Sequence, residues 1–314
     1  MKVLIAGATG AIGVPLSRRL LAAGHEVIGL TRTRAGAGAL SEAGVTPVVA
    51  DALDREGLLR ATSHVTADAV IHQLTSLTKP PVRHSDMAQT NRLRTEGTKN
   101  LVELAGALGA ATFITQSIVF GYGYKDMGQR RLIENQPFGQ PGNGRCDPHV
   151  AAMLENEDLV LRADGLSGIA LRYGLFYGAD VENMVTLLRK RKLPIPAGRN
   201  NRLPWIHIED AAAATVAALE HGRGGEAYNI VDDDGASWTE MFTTMAQTFS
   251  APSPRALPGW LIRLAAPYVG IMVLDVSMQV SNAKAKAELG WRPDYPSFHA
   301  GLEALAKSEG AVGG

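Results

Sequence analysis

Cysteine is almost missing from this chain. The single Cys146 in 314 residues excludes an internal disulfide framework and points to a reducing compartment, the cytoplasm. Excess charge is missing too: 31 Lys and Arg balance 31 Asp and Glu, and the pI is about 7.1. No global field therefore draws the chain to nucleic acid or to an anionic membrane. Long apolar runs are absent. The first residues enter a strand pattern without a leader-like stretch, and the most apolar later stretch, 257–278, is broken by Pro258, Arg263, Pro267 and Asp275. It reads as a pair of core helices, not a membrane span. The histidines are scattered without metal-ligand spacing, so no metal is expected, and there is no repeat or low-complexity tract.

What the chain does have is an alternation of short apolar runs and amphipathic stretches. Val3-Leu4-Ile5-Ala6 is an apolar run of the kind buried in a parallel strand, and Gly7, Gly10 and Gly13 follow before a helical pattern over 14–23. Glycine lets the backbone come close to a diphosphate, and a helix N-terminus offers free N–H groups and the positive end of a dipole. Intervals of three and three differ from G-x-G-x-x-G. The pattern alone thus leaves open a dinucleotide site, with Gly7, Thr9, Gly10, Ala11, Ile12 and Gly13 around the diphosphate, and a bare tight connection.

Residues 27–31 read as a second strand, whose end meets the adenosine ribose in a doubly wound fold. An acidic residue there would bind the 2′-hydroxyl of NAD. The chain instead carries Thr31-Arg32-Thr33-Arg34, and a guanidinium suits a 2′-phosphate, so Arg32, with Arg34 in support, points to NADP(H). A third strand, 47–50, ends in Asp51-Ala52, where Asp51 suits an adenine amino group and Asp54 caps the next helix. A fourth, 69–74, sets Gln73, Leu74 and Thr75 along the cofactor.

A long helix over 85–108, a strand over 111–121, a helix over 149–163 and strands at 169–173 and 227–231 continue the alternation. The expected architecture is α/β: a doubly wound parallel Rossmann sheet with a smaller, mostly helical C-terminal substrate domain. Residues 1–176 and 206–232 are assigned to the NADP-binding domain, and 177–205 and 233–314 to the substrate domain. Between 121 and 148 the pattern dissolves into Gly, Gln, Asn and Pro, and reads as a mobile flap that carries Tyr122 and Tyr124 over the substrate.

Several motifs together resemble the extended short-chain dehydrogenase/reductases, the branch with NAD-dependent epimerases and dehydratases. They are Gly7 to Gly13, Asp51, Gly97-Thr98 with Asn100, Val119-Phe120-Gly121, Arg172 to Gly178, Trp205 to Asp210, Tyr228-Asn229, and Glu288 to Pro293. The resemblance covers nearly the whole chain. It implies a catalytic tyrosine with a lysine four residues later, a serine or threonine, and an asparagine. The segment Asp147 to Glu157 matches the pattern around the tyrosine, yet His149 stands at the tyrosine position and Met153 at the lysine position. Gln116, beside Ser117, takes the serine position, and Arg94 the asparagine position.

A methionine cannot lower a neighbour's pKa by charge, so the usual acid and its tuning group are both gone. Epimerisation and dehydration need a base as well as hydride transfer, which sets sugar-nucleotide chemistry, with Arg199 and Arg202 meeting a diphosphate, behind the other readings. Reduction survives the loss, because the nicotinamide supplies the hydride and the proton can come from substrate, water or a non-standard residue. The chain is similar in this respect to ketoreductases that tailor aromatic polyketides such as angucyclinones. This implies an NADPH-dependent ketoreductase for a small hydrophobic or polycyclic aromatic substrate in antibiotic biosynthesis. Ser117, Gln116 and His149 are its candidate catalytic residues. The alternative is a non-catalytic NADP(H) sensor. A homodimer through the helices that start at 85 and 149 is compatible with the pattern.

Overall fold

The computed structural model describes residues 1–77 and 79–312, with side chains through 307. Seven strands form the central sheet: β1 Lys2–Ala6, β2 Glu26–Thr31, β3 Thr46–Val49, β4 Ala69–His72, β5 Thr112–Ile118, then Ser167–Tyr173 and Glu226–Ile230. Their spatial order is Glu226–Ile230, Ser167–Tyr173, β5, β4, β1, β2, β3, and every pairing is parallel. The chain winds outward from β1 through β2 to β3, then restarts on the other side at β4. That reversal leaves a crevice beyond the C-terminal ends of β1 and β4, the place where open α/β sheets bind ligands. The expected doubly wound parallel sheet is thus what the chain forms.

Strand alternation explains why both faces are covered. Val3 and Ile5 point to one side and pack with Leu16 and Leu20 of α1 (Gly13–Ala22) and with the helix Ile208–His221. Leu4 and Ala6 point to the other and meet Leu101, Leu104 and Leu108 of a helix over Thr98–Leu108. Leu4, Ile5, Leu16, Leu101 and Leu104 are wholly buried, each side chain contributing roughly 1.5–3 kcal/mol of transfer free energy.

Two stretches differ from the sequence expectation. The run 85–108 is not one uniform helix: a 3-10 turn over His84–Met87 and an α-helical turn over Ala88–Arg92 lead into a π-helical turn over Leu93–Gly97 before Thr98–Leu108. The proposed flap, 121–148, is anchored. A 3-10 turn over Val119–Tyr122 leads into a strand, Asp126–Leu132, which pairs with Ser277–Val280 about 150 residues away along the chain. Its side chains are mostly exposed and polar, so no apolar alternation announces it, and its register comes from the distant partner.

Phe120, Tyr122, Tyr124, Leu132 and Phe138 pack into a third apolar cluster with Met241, Met245, Tyr268, Met272 and Met278. This cluster covers the sheet's C-terminal edge. The stretch 257–278 holds two short helices, Gly259–Ala265 and Pro267–Leu274, but only the second is a core helix: Trp260 and Leu264 of the first are 66% and 74% exposed, and among the described residues no helix is long and apolar enough to cross a membrane.

Candidate active site

At the crevice, glycine is required by geometry. Gly7 has φ +99°, and a Cβ there would lie 2.8 Å from the Gln73 carbonyl oxygen, so only glycine lets the ends of β1 and β4 come this close. A Cβ on Gly13 would lie 2.1 Å from the Gly7 carbonyl, so Gly13 serves packing of α1 onto the turn and is not among the cleft-lining residues. The start of α1 has no side-chain cap and no acidic residue in its first turn, which leaves its positive end open to an anion.

The cleft, about 340 Å³, runs from this turn across the strand ends. Gly7, Thr9, Gly10, Ala11 and Ile12 form its centre; Arg32, Asp51 and Ala52 lie toward one end, and Gln73, Leu74 and Thr75 lie along it. Arg34 falls outside. It is the first residue of the helix Arg34–Glu42, which Thr33 caps by accepting from Gly36 N–H. Asp51 accepts from Leu53 N–H at 2.9 Å, and Asp54 caps Arg55–Ala61. Gln73 donates its Nε2 to the Tyr173 hydroxyl at 3.2 Å, while its buried Oε1 has no partner among the described residues. A glycine cradle, an uncapped helix start and a buried acceptor without a partner together fit a nicotinamide dinucleotide.

Beyond this end stand Leu93, Arg94, Gln116, Ile118, Leu175 and Phe176. Along β5 the side chains alternate, so Gln116 and Ile118 line the cleft and Ser117 does not. Ser117 donates to Glu157 Oε1 at 2.6 Å and is buried. Its hydroxyl belongs to a network in which Arg172 Nη2 donates to Glu157 Oε2 at 2.7 Å and Arg172 Nη1 donates to the Tyr122 hydroxyl at 3.0 Å. This geometry speaks against Ser117 as a donor to substrate.

His149 is likewise enclosed. It is 3% exposed, with Nε2 3.1 Å from His84 Nδ1 and Nδ1 2.9 Å from Asn91 Nδ2. The rings of His84 and His149 stack at 5.4 Å, and Tyr268 meets both edge-on. Burial, helped by the nearby His84 and Arg94, pushes the His149 imidazole down to about 4. It is therefore neutral near pH 7, fixed by two partners and absent from the cleft lining, a poor general acid. Met153 is a core residue.

Sequence reasoning gave Arg94 only as a replaced asparagine. In the structure it lies on the π-helical turn, lines the cleft and is 7% exposed. The turn itself is fixed from below. His72 Nδ1 accepts from Leu74 N–H at 3.1 Å, which leaves Nε2–H to donate to the Leu93 carbonyl at 3.3 Å. Burial pushes His72 down to about 4, so this neutral tautomer persists. A basic residue in a helix otherwise reading Leu93, Leu101, Leu104 was the signal available.

Tyr122 and Tyr124, expected to reach the substrate from a flap, are packed down. Tyr122 donates to Asn229 Oδ1 at 2.9 Å, and the Tyr124 and Tyr268 hydroxyls lie 2.8 Å apart. Trp205 donates its Nε1 to the Ala236 carbonyl and His207 caps Ile208–His221, so both fix the junction between sheet and cover. Arg202 donates to the Gly235 carbonyl.

A parallel doubly wound sheet with a glycine cradle at its switch point defines a Rossmann-type nicotinamide-dinucleotide protein. The sequence profile of the NAD dependent epimerase/dehydratase family matches residues 3–231, and the chain belongs to that family. It is an NAD(P)-dependent oxidoreductase. It is 39% identical over 313 residues, 96% of this chain and 99% of the other, to a Streptomyces 3-diazoavenalumate denitrifying reductase. It is 22% identical, over 98% and 96% of the two chains, to a Stigmatella aurantiaca ketoreductase of a farnesyl-dihydroquinoline oxide. Among solved structures, a human epimerase family protein with NADPH superposes with a TM-score of 0.78 at 22% identity, covering 98% of this chain and 99% of that one.

Proposed function

We propose that this protein is an NADPH-dependent reductase of a small aromatic acceptor whose reduction needs no proton from a side chain, an aryl diazo compound suiting it best. The observation that carries this reading is the state of the acid position: a neutral, doubly hydrogen-bonded His149 and a buried Met153 where the family has tyrosine and lysine. The family name of the Streptomyces relative, a denitrifying reductase of a diazo compound, supports it. When bound, the reduced nicotinamide supplies a hydride, and the balance is Ar–N2⁺ plus NADPH to Ar–H, N2 and NADP⁺. The C–N bond breaks, nitrogen leaves, and no proton is consumed.

The chain's own part is to bind and orient. Arg32, at the end of β2, holds the 2′-phosphate of NADPH, and Asp51 the adenine. Gln73 Oε1 accepts from the cofactor, and the glycine turn takes the diphosphate. Gln116 and Ile118 form the floor on which the aromatic acceptor lies, and Phe176 and Leu175 close it from the side.

A second acceptor class, an aromatic ketone, is favoured by the Gln116 amide, which can donate to a carbonyl; the proton would then come from water or from the substrate's own phenol. The deciding experiment follows NADPH oxidation with a ¹⁵N-labelled diazo-arene carboxylate and with polycyclic aromatic ketones. One labelled N2 released per NADPH oxidised is expected. Turnover confined to ketones would move the reading to ketone reduction, and tight NADPH binding without turnover on either panel would make the protein a sensor.

A further inference from the structure

One buried cation near the cofactor cleft has no counter-ion. Arg94 is 7% exposed, and its guanidinium makes no hydrogen bond or ion pair with any described residue; its buried Nη1 is wholly without a partner. The ionisable groups that favour its charge are the phenols of Tyr124 and Tyr268, and burial holds both phenols protonated. Two neutral histidines, His72 and His149, feel its charge. Burying an unpaired guanidinium is costly, and natural proteins keep such a group where a ligand completes the pair.

The backbone also holds Arg94 in place. The π-helical turn Leu93–Gly97 departs from regular helix geometry, and His72 and the Thr98 hydroxyl both engage the Leu93 carbonyl that the turn displaces. Arg94 therefore lines the cleft together with Gln116, Ile118, Leu175 and Phe176.

We propose that Arg94 is the substrate anchor, pairing through its guanidinium with the carboxylate of an aromatic acid whose ring lies on Gln116 and Ile118. This rests on the proposed reductase reading for the use of the site, but the carboxylate anchor stands on Arg94 itself. The planar fork takes both carboxylate oxygens, which a lysine cannot do. The acid fixes which end of the aromatic substrate faces the nicotinamide, so Arg94 sets orientation as well as class.

The test is calorimetry on the full chain saturated with NADP⁺, using 4-hydroxycinnamate as probe and 4-hydroxycinnamamide as its uncharged counterpart. The wild type should bind the acid at least tenfold more tightly than the amide. Arg94→Met and Arg94→Gln should lose roughly 10- to 100-fold of acid affinity, leave amide and NADPH binding unchanged, and keep or raise the melting temperature, since an unpaired buried charge is removed. Arg94→Lys should recover part of the acid preference. Equal binding of acid and amide by the wild type would overturn the proposal. So would a tenfold loss of NADPH affinity in Arg94→Met, which would make Arg94 a cofactor ligand, or a fall in melting temperature in both variants, which would make it structural. If diazo arenes fail as substrates while the acid preference holds, the reaction is wrong and the anchor stands. If diazo arenes without an acid turn over as well as those with one, the anchor is wrong and the reaction stands.

Discussion

Replacing Glu157 by glutamine should destabilise the protein more than any surface change of the same size. Glu157 and Arg172 are 2% and 7% exposed at their side chains. Arg172 Nε donates to Glu157 Oε1 at 2.9 Å and Nη2 to Oε2 at 2.7 Å, Ser117 donates to Oε1, and the guanidinium lies 3.9 Å over the Phe138 ring. Glutamine keeps the shape and removes the charge, so Arg172 remains buried without a counter-ion. Breaking such a pair from one side costs about 3–5 kcal/mol. At roughly 2–4 °C per kcal/mol for a larger domain, the melting temperature should fall by about 6–20 °C. Guanidinium titration at constant m-value would give the free energy directly. The double variant Glu157→Leu with Arg172→Met should recover most of the loss, because two well-packed apolar groups replace two buried ions. A Glu157→Gln variant within 1 kcal/mol of wild type would refute the argument.

Stability should peak near pH 6.5. His72, His149 and His207 are each pushed to about 4 by burial, so the unfolded chain binds protons that the folded one refuses; their contribution is full above about 6.5 and is lost as pH falls toward 4. For His72 alone this is at most about 3 kcal/mol. Asp232 runs the other way: burial raises it to about 8, so stability falls as pH rises toward 8, and Asp232→Asn should flatten that limb in melts across pH 4.5 to 8.5. Arg32→Ala should weaken NADPH about tenfold and leave NADH unchanged in fluorescence titrations; equal effects on both would remove the 2′-phosphate role. Gly7→Ala should cost about 1–3 kcal/mol of backbone strain and abolish cofactor binding at micromolar concentration. His149→Ala should keep kcat within a few-fold at pH 7 while costing about 1–3 kcal/mol of stability; a hundredfold drop with loss of the alkaline limb of the pH profile would restore the histidine as acid.

The sheet was legible because its strands are short apolar runs, two of them, Lys2–Ala6 and Ser167–Tyr173, followed directly by glycine, and each such run reports its own burial. The cradle at Gly7, Gly10 and Gly13 was legible for the same reason: a backbone that must come close leaves a residue type behind. The failures share a different cause. Asp126–Leu132 is a strand only because Ser277–Val280 lies beside it, and its own seven residues are mostly polar and exposed. Ser117 and Gln116 are adjacent, and which of them faces the cleft depends on strand parity, settled by the Glu157–Arg172 pair reaching Ser117 from the other side. Arg94 reads as an ordinary helix arginine until the π-helical turn and the missing partner are seen.

The pairing of Asp126–Leu132 with Ser277–Val280 also has a consequence for biosynthesis. As the chain leaves the ribosome, β1 to β5 can associate once residue 118 has emerged, since each neighbour in that part of the sheet is already present. Tyr122, Tyr124 and Leu132 then wait, exposed, for more than a hundred further residues before their partners Tyr268 and Val280 are made. The polar face of Asp126–Leu132 keeps that waiting strand from pairing with a neighbouring nascent chain.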